Sequence, residues 1–197
     1  MTGWFIYAED LLSESFAKGM VAELGFEIAF SKFVGGWSHL KGNFDKYRNL
    51  AAKGNKVLIL TDLDQRDCAP SLLREWSQGL GIPQGLVLRV CVHEIESWLM
   101  ADRDAFAEFL GFSTTNLPLY PDAERDPKRY LFTTIASKSR RREIKAGILP
   151  RSGSHVGPEY NSLMINFLKT DFRMDVARKH SPSLERALAA LSRCHRA

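Results

Sequence analysis

The chain has 197 residues, of which 45% are hydrophobic and 25% charged, and its formal net charge is +4. These proportions fit one globular domain, or a domain with a small appendage, and exclude a disordered or low-complexity chain. Three cysteines without C-x-x-C spacing exclude a disulfide framework and a thiolate zinc site, and the lack of a basic leader or of a run of about 18 apolar residues predicts a cytoplasmic protein without export signal or membrane span.

WFIYA (4–8) predicts a strand, and apolar positions at Leu12, Phe16, Met20 and Leu24 predict a helix that stops at Gly25. FEIAF (26–30) reads as a second strand, GGWSHLKGN (35–43) as a glycine-rich loop, and 44–52 as a helix. The unbroken apolar run VLIL (57–60) is that of a strand covered on both faces. Pro70 suits the first turn of a helix reaching Gln78, and LVLRVCV (86–92) is a fourth strand, followed by one or two helices up to Gly111. Strands alternating with helices imply an α/β fold with a mostly parallel sheet of about four strands. Pro118, Pro121 and Pro127 mark a connection, and only helices are expected beyond it, one opened by Pro158 and the last by Ser181 and Pro182. The expected division is an α/β core over 1–115 and a mainly helical, basic part over 116–197 packed on it, with a single compact unit as the alternative.

Charge follows a similar division. Residues 1–124 hold 11 Lys/Arg against 17 Asp/Glu, whereas residues 125–197 hold 16 against 6. In an open parallel sheet, ligands bind beyond the carboxyl ends of the strands, and three of the four expected strands end in acids. Glu9 and Asp10, with Glu14 a helical turn later, follow the first strand; Asp62 and Asp64 follow VLIL; Glu94 and Glu96 follow the fourth strand. Asp62 and Asp64 are two residues apart, so an extended backbone points both side chains the same way. Two like charges at ~4 Å and an effective dielectric of ~20 cost ~4 kcal/mol, which a hard divalent cation with oxygen ligands removes. Mg²⁺ or Mn²⁺ suits such carboxylates, with Glu9, Asp62, Asp64, Glu94 and Glu96 as candidate ligands. The competing reading makes individual acids, Asp64 among them, helix caps or turn residues.

These residues resemble the TOPRIM domain of topoisomerases, primases and the overcoming-lysogenization-defect (OLD) nucleases, which places an acid after its first strand and a hydrophobic-DxD after a later one. The sequence is more closely similar to a bacterial TOPRIM-like family through EDLLSE (9–14), LTDLD (60–64), EIESWLMAD (94–102), DPK (126–128) and VGPEYN (156–161). The likeness extends over nearly the whole chain. It departs from the TOPRIM pattern at Asp10, where a glycine commonly follows the first glutamate, so the first acidic site is formed by Glu9 alone or also by Asp10 or Glu14. The resemblance implies a metal-dependent nuclease acting on DNA or RNA, with a role in phage defence beside a separately encoded ATPase, since this chain carries no G-x-x-x-x-G-K-[ST] motif. It also implies a late catalytic lysine, Lys138, with Lys128 as a rival.

Residues 125–151 hold nine Lys/Arg against two acids, a density that neutralises phosphates. Lys128, Arg140, Arg141 and Arg142 are therefore candidate nucleic-acid contacts, with a solvated helix face as the competing reading. In the nuclease reading Glu9, Asp62, Asp64 and Lys138 form the catalytic set. The alternative function is a non-catalytic subunit that senses nucleic acid or nucleotide and regulates a partner ATPase, with a primase-type nucleotidyl transferase third. Self-association stays open.

Overall fold

The apolar runs that begin at Trp4 and Val57 lie side by side as neighbouring strands. The structure is a computed structural model and describes residues 3–63 and 68–196. In chain order β1 (Trp4–Ala8), α1 (Leu11–Glu23), β2 (Ile28–Phe33), α2 (Trp37–Gly42), α3 (Phe44–Ala52), β3 (Lys56–Asp62), α4 (Ala69–Ser77) and β4 (Leu86–Cys91) alternate, as the sequence predicts for an α/β fold. The four strands form one all-parallel sheet in the order β2-β1-β3-β4. The helices α5 (Ile95–Ala101), α6 (Arg103–Leu110), α7 (Pro127–Lys138), α8 (Arg142–Ile148), α9 (Tyr160–Thr170), α10 (Met174–Ala177) and α11 (Pro182–Arg196) follow, with two single 3₁₀ turns between α6 and α7. Among the described residues no helix is long and apolar enough to cross a membrane.

The chain forms two compact units: residues 1–92 with 183–197, and residues 93–182. This division differs from the expected one at 115/116. The reason is packing that periodicity cannot show. The apolar face of α5 meets α7 and α10, and Phe106 of α6 meets Phe167 of α9 with ring centroids 4.8 Å apart, so 95–110 belongs with later helices.

In the first unit the alternation of β3 sorts its side chains. Val57 and Ile59 join Leu40, Phe44, Tyr47, Leu72 and Trp76 in one apolar cluster, and Leu63 continues that face beyond the strand. Leu58 and Leu60, equally buried, point to the opposite face. The last helix returns to this unit: the His195 ring stacks on Phe26 at 3.7 Å, and Cys194 Sγ donates to the carbonyl of Gln84.

Two local expectations are corrected. The second strand is shifted towards SKF, because Phe5 to Ala8 pair with Phe30 to Phe33, while Phe26 turns its ring onto Trp4. The glycine-rich stretch 35–43 contains a six-residue helix, α2, anchored by the buried Leu40.

Candidate functional site

Strand order decides where a ligand would sit in the first unit. From β1 the chain passes to β2 on one side and then to β3 on the other, so β1 and β3 flank the point where the winding reverses. Crevices beyond the carboxyl ends of strands at such points are the binding places of open α/β sheets. Glu9 leaves β1 there, and Asp62 is the last residue of β3.

The two are neighbours. Ala8 stands opposite Leu60, so the next residues, Glu9 and Thr61, meet directly. The Thr61 hydroxyl donates to Glu9 Oε2 at 2.7 Å, and the Asp62 amide lies 3.4 Å from the same oxygen. Thr61 is fully buried and Asp62 is 6% exposed. Behind Glu9, the amides of Gly35 and Gly36 both donate to its carbonyl at 3.0 Å. Both glycines have positive φ, 79° and 120°, which side-chain-bearing residues rarely adopt. The GGWS stretch is thus a backbone brace that fixes where Glu9 stands.

The other acids that follow the first strand have separate work. Asp10 caps α1, its Oδ1 accepting from the Ser13 amide at 2.8 Å. Glu14 accepts from the Ser31 hydroxyl at 2.6 Å and pairs with Lys18 at 3.5 Å. Of these three acids, Glu9 is the one that meets the end of β3 among the described residues. Asp64 lies outside the described residues. Among the described residues no three His, Cys, Asp or Glu side chains gather as a metal-binding group.

No protein-family model, curated protein or solved structure matches this chain. The chemistry of the residues therefore carries the functional argument. Glu9 and Asp62 bring carboxylates to adjoining strand ends, and the buried Thr61 hydroxyl and the Asp62 amide orient Glu9 Oε2. Hard cations such as Mg²⁺ prefer that donor type, with one or two protein carboxylates and the remaining positions left to water or phosphate oxygens. The residues present fit such an ion.

In the second unit Glu94 and Glu96 meet a cation of the protein's own. Lys128 Nζ lies 3.4 Å from Glu94 Oε1 and 3.4 Å from Glu96 Oε1, and the Lys128 amide donates to Glu94 Oε2 at 2.8 Å. Lys128 thus places a positive charge of the chain's own beside these two candidate ligands. Glu96 is 1% exposed and accepts from the Tyr160 hydroxyl, while its Oε2 has no hydrogen-bond partner among the described residues. Burial pushes its carboxyl pKa up; Lys128 opposes that shift and Glu94 adds to it.

The remaining basic candidates lie in the same unit. Lys138 is exposed at the last turn of α7, and Arg140, Arg141 and Arg142 follow it, also exposed, at the start of α8. Sequence reasoning gave no role to three residues that the structure brings forward. Thr61, Tyr160 and Arg173 are hydrogen-bonded to Glu9, Glu96 and Asp102, respectively. Thr61 was the findable one, as a hydroxyl within an otherwise apolar strand. Tyr160 and Arg173 stand 64 and 71 residues from their partners, and no local pattern links them.

Proposed function

We propose that the chain is a metal-dependent nuclease of TOPRIM-like design, with Glu9, Asp62 and Asp64 holding Mg²⁺ or Mn²⁺. The observation that carries this reading is the Glu9 carboxylate resting on the Thr61 hydroxyl and beside the Asp62 amide at the reversal point of the sheet. The bound ion would polarise the phosphate and favour ionisation of the attacking water. Thr61 and the Gly35–Gly36 amides hold Glu9 in place and thereby spare the site a reorganisation cost. Exposed Lys138, Arg140, Arg141 and Arg142 would neutralise the phosphates of a DNA or RNA strand, giving affinity that falls steeply with salt. The resemblance to OLD nucleases extends the proposal to an ATPase as partner.

The test is cleavage of labelled DNA and RNA by the purified chain with Mg²⁺, with Mn²⁺ and with chelator. Wild type is expected to cut only with metal, and Glu9→Gln and Asp62→Asn are expected to lose cutting while keeping their circular dichroism. Thr61→Val, which removes the hydroxyl that orients Glu9, should reduce the rate about 10- to 100-fold, as partners of metal ligands do. Cutting that survives in Asp62→Asn, or a wild type inert with both metals on both substrates, sinks the nuclease reading.

A further inference from the structure

The sheet of the first unit has β4 at one end of its strand order, and the outer side of β4 is built unlike a plain edge. Val57 donates its amide to Gly85 at 2.8 Å and Leu63 donates to Cys91 at 3.0 Å. Residues of a parallel strand alternate in the neighbour they address, so Gly85, Val87, Arg89 and Cys91 turn their backbone groups to β3. Leu86, Leu88 and Val90 turn theirs outward. Of these outward groups, the Leu86 amide donates to Pro83 at 2.9 Å and the Leu88 carbonyl accepts from Arg89 Nη1 at 3.2 Å.

A cavity of about 420 Å³ follows this edge. Its lining takes four successive residues of β4, Leu86 to Arg89, together with Leu73 of α4 and with Ala190 and Arg193 of α11. Successive strand residues face opposite sides of a sheet, so the cavity wraps the edge rather than lying on one face. Ile82, 41% exposed, lies at its rim, and Leu80, 52% exposed, is nearby in the chain. The groove is therefore apolar in its walls and offers backbone groups along its floor.

It is also positively charged, and among the described residues that line it there is no Asp or Glu. Arg89 Nε is buried and has no hydrogen-bond partner among the described residues. Burial lowers the Arg89 pKa, and the like charges of Arg193 and Arg186 lower it further, against a small opposing effect of Cys194. Arg186 and Arg193 are two helical turns apart on α11, about 10 Å, a span that three or four residues of extended chain cover at about 3.3 Å each.

We propose that the outer edge of β4 is a docking groove for an extended acidic segment of a partner protein, which adds a fifth strand to the sheet and sets its carboxylates against Arg89, Arg186 and Arg193. Main-chain pairing supplies the affinity in such strand addition, and side-chain pockets supply the selection. A nucleic-acid strand satisfies the arginines but brings no alternating donors and acceptors for the edge of β4. The three arginines select acid over base, and the apolar walls select a peptide with small or branched residues between its acids.

The experiment is fluorescence anisotropy of the full chain with a labelled peptide of about ten residues in which Glu and Val alternate. A Lys/Val peptide and a single-stranded oligonucleotide of equal length serve as comparisons. The acidic peptide is expected to bind saturably and the basic peptide not at all. Arg193→Glu, an exposed change that the fold tolerates, and Arg89→Met should each weaken the acidic peptide at least about tenfold. Exchange of the Leu88 amide, followed by NMR, should slow when the peptide is added, which attraction by charge alone would not produce. Unchanged Leu88 exchange, equal binding by Arg193→Glu, or no binding of the acidic peptide overturns the proposal. So does an oligonucleotide whose tighter binding is lost in Arg193→Glu, or self-association of the wild type that the same change abolishes.

Discussion

Glu96 shows how one side chain can make a fold answer to pH. A glutamate in an unfolded chain titrates near ~4.3, and burial raises that value in the fold. Between the two pKa values the folded chain retains a proton that the unfolded chain has released. Stability therefore falls as pH climbs through that window and is free of this cost below ~4.3. Glu96→Gln has no proton to lose, and its amide oxygen can still accept from Tyr160. The expected result is that the stability of wild type relative to Glu96→Gln decreases as pH is raised from about 4 towards neutral, read from urea midpoints at a series of pH values. Lys128→Met removes the cation that lowers the Glu96 pKa and should steepen this decline. Parallel curves for wild type and Glu96→Gln would show that the carboxyl titrates as it does in the unfolded chain.

At the scale of elements, the VGPEYN segment gains a physical reason. Gly157 donates its amide to Ile148 at 3.0 Å, and Glu159 donates to Gly147 at 2.9 Å, which presses the approach to α9 onto the end of α8. A Cβ on Gly157 would stand 2.2 Å from the Gly147 carbonyl oxygen and 2.5 Å from the Ile148 carbonyl carbon. These are backbone atoms and cannot rotate away. A Cβ on Gly147 would meet the tip of Leu163 at 2.7 Å, which can move, and Glu159 Cβ at 3.1 Å, which must give by a few tenths of an ångström, while alanine there gains up to ~1 kcal/mol of helix propensity that offsets this crowding. Gly157→Ala should accordingly cost about 1–3 kcal/mol and lower Tm by several degrees, while Gly147→Ala should be close to neutral. Equal thermal melts for the two variants would remove this account. The same segment shows what was legible in the sequence and what was not. Apolar runs and their punctuation at Gly25, Pro70 and Gly111 were enough for β1, β3, β4 and the alternation of helices, because those signals are local. The meeting of Glu9 with the end of β3 was also legible, since parallel strands must place their carboxyl ends along one edge. Lys128 with Glu94, Tyr160 with Glu96, and the close approach of Gly157 to α8 depend on which helix packs on which, and spacing along the chain does not encode that.

At the scale of the whole molecule, the first unit is discontinuous in sequence, and it includes a helix made from residues 183 onward. In α11, Leu184, Leu188 and Leu191 are fully buried and Ala187 nearly so. Burying each leucine contributes about 1.5–3 kcal/mol, so the three together approach the 5–15 kcal/mol that separates a typical domain from its unfolded state. The Lys56 ammonium at the start of β3 also donates to the Cys194 carbonyl, a bond that would be lost with the helix. The second unit has its own closure, with Phe106, Phe109 and Phe167 in mutual ring contact, Phe172 set edge-on to Phe167, and Asp102, fully buried, held by three hydrogen bonds from Arg173. A chain stopped after Pro182 should therefore lose amide-exchange protection throughout β1 to β4 while α5 to α9 stay protected. A synthetic peptide covering 183–197, added in excess, should restore protection to the sheet, because the apolar surface it buries is the larger part of what the truncation removed. Protection of β3 amides in the truncated chain without the peptide would show that the sheet stands without its last helix.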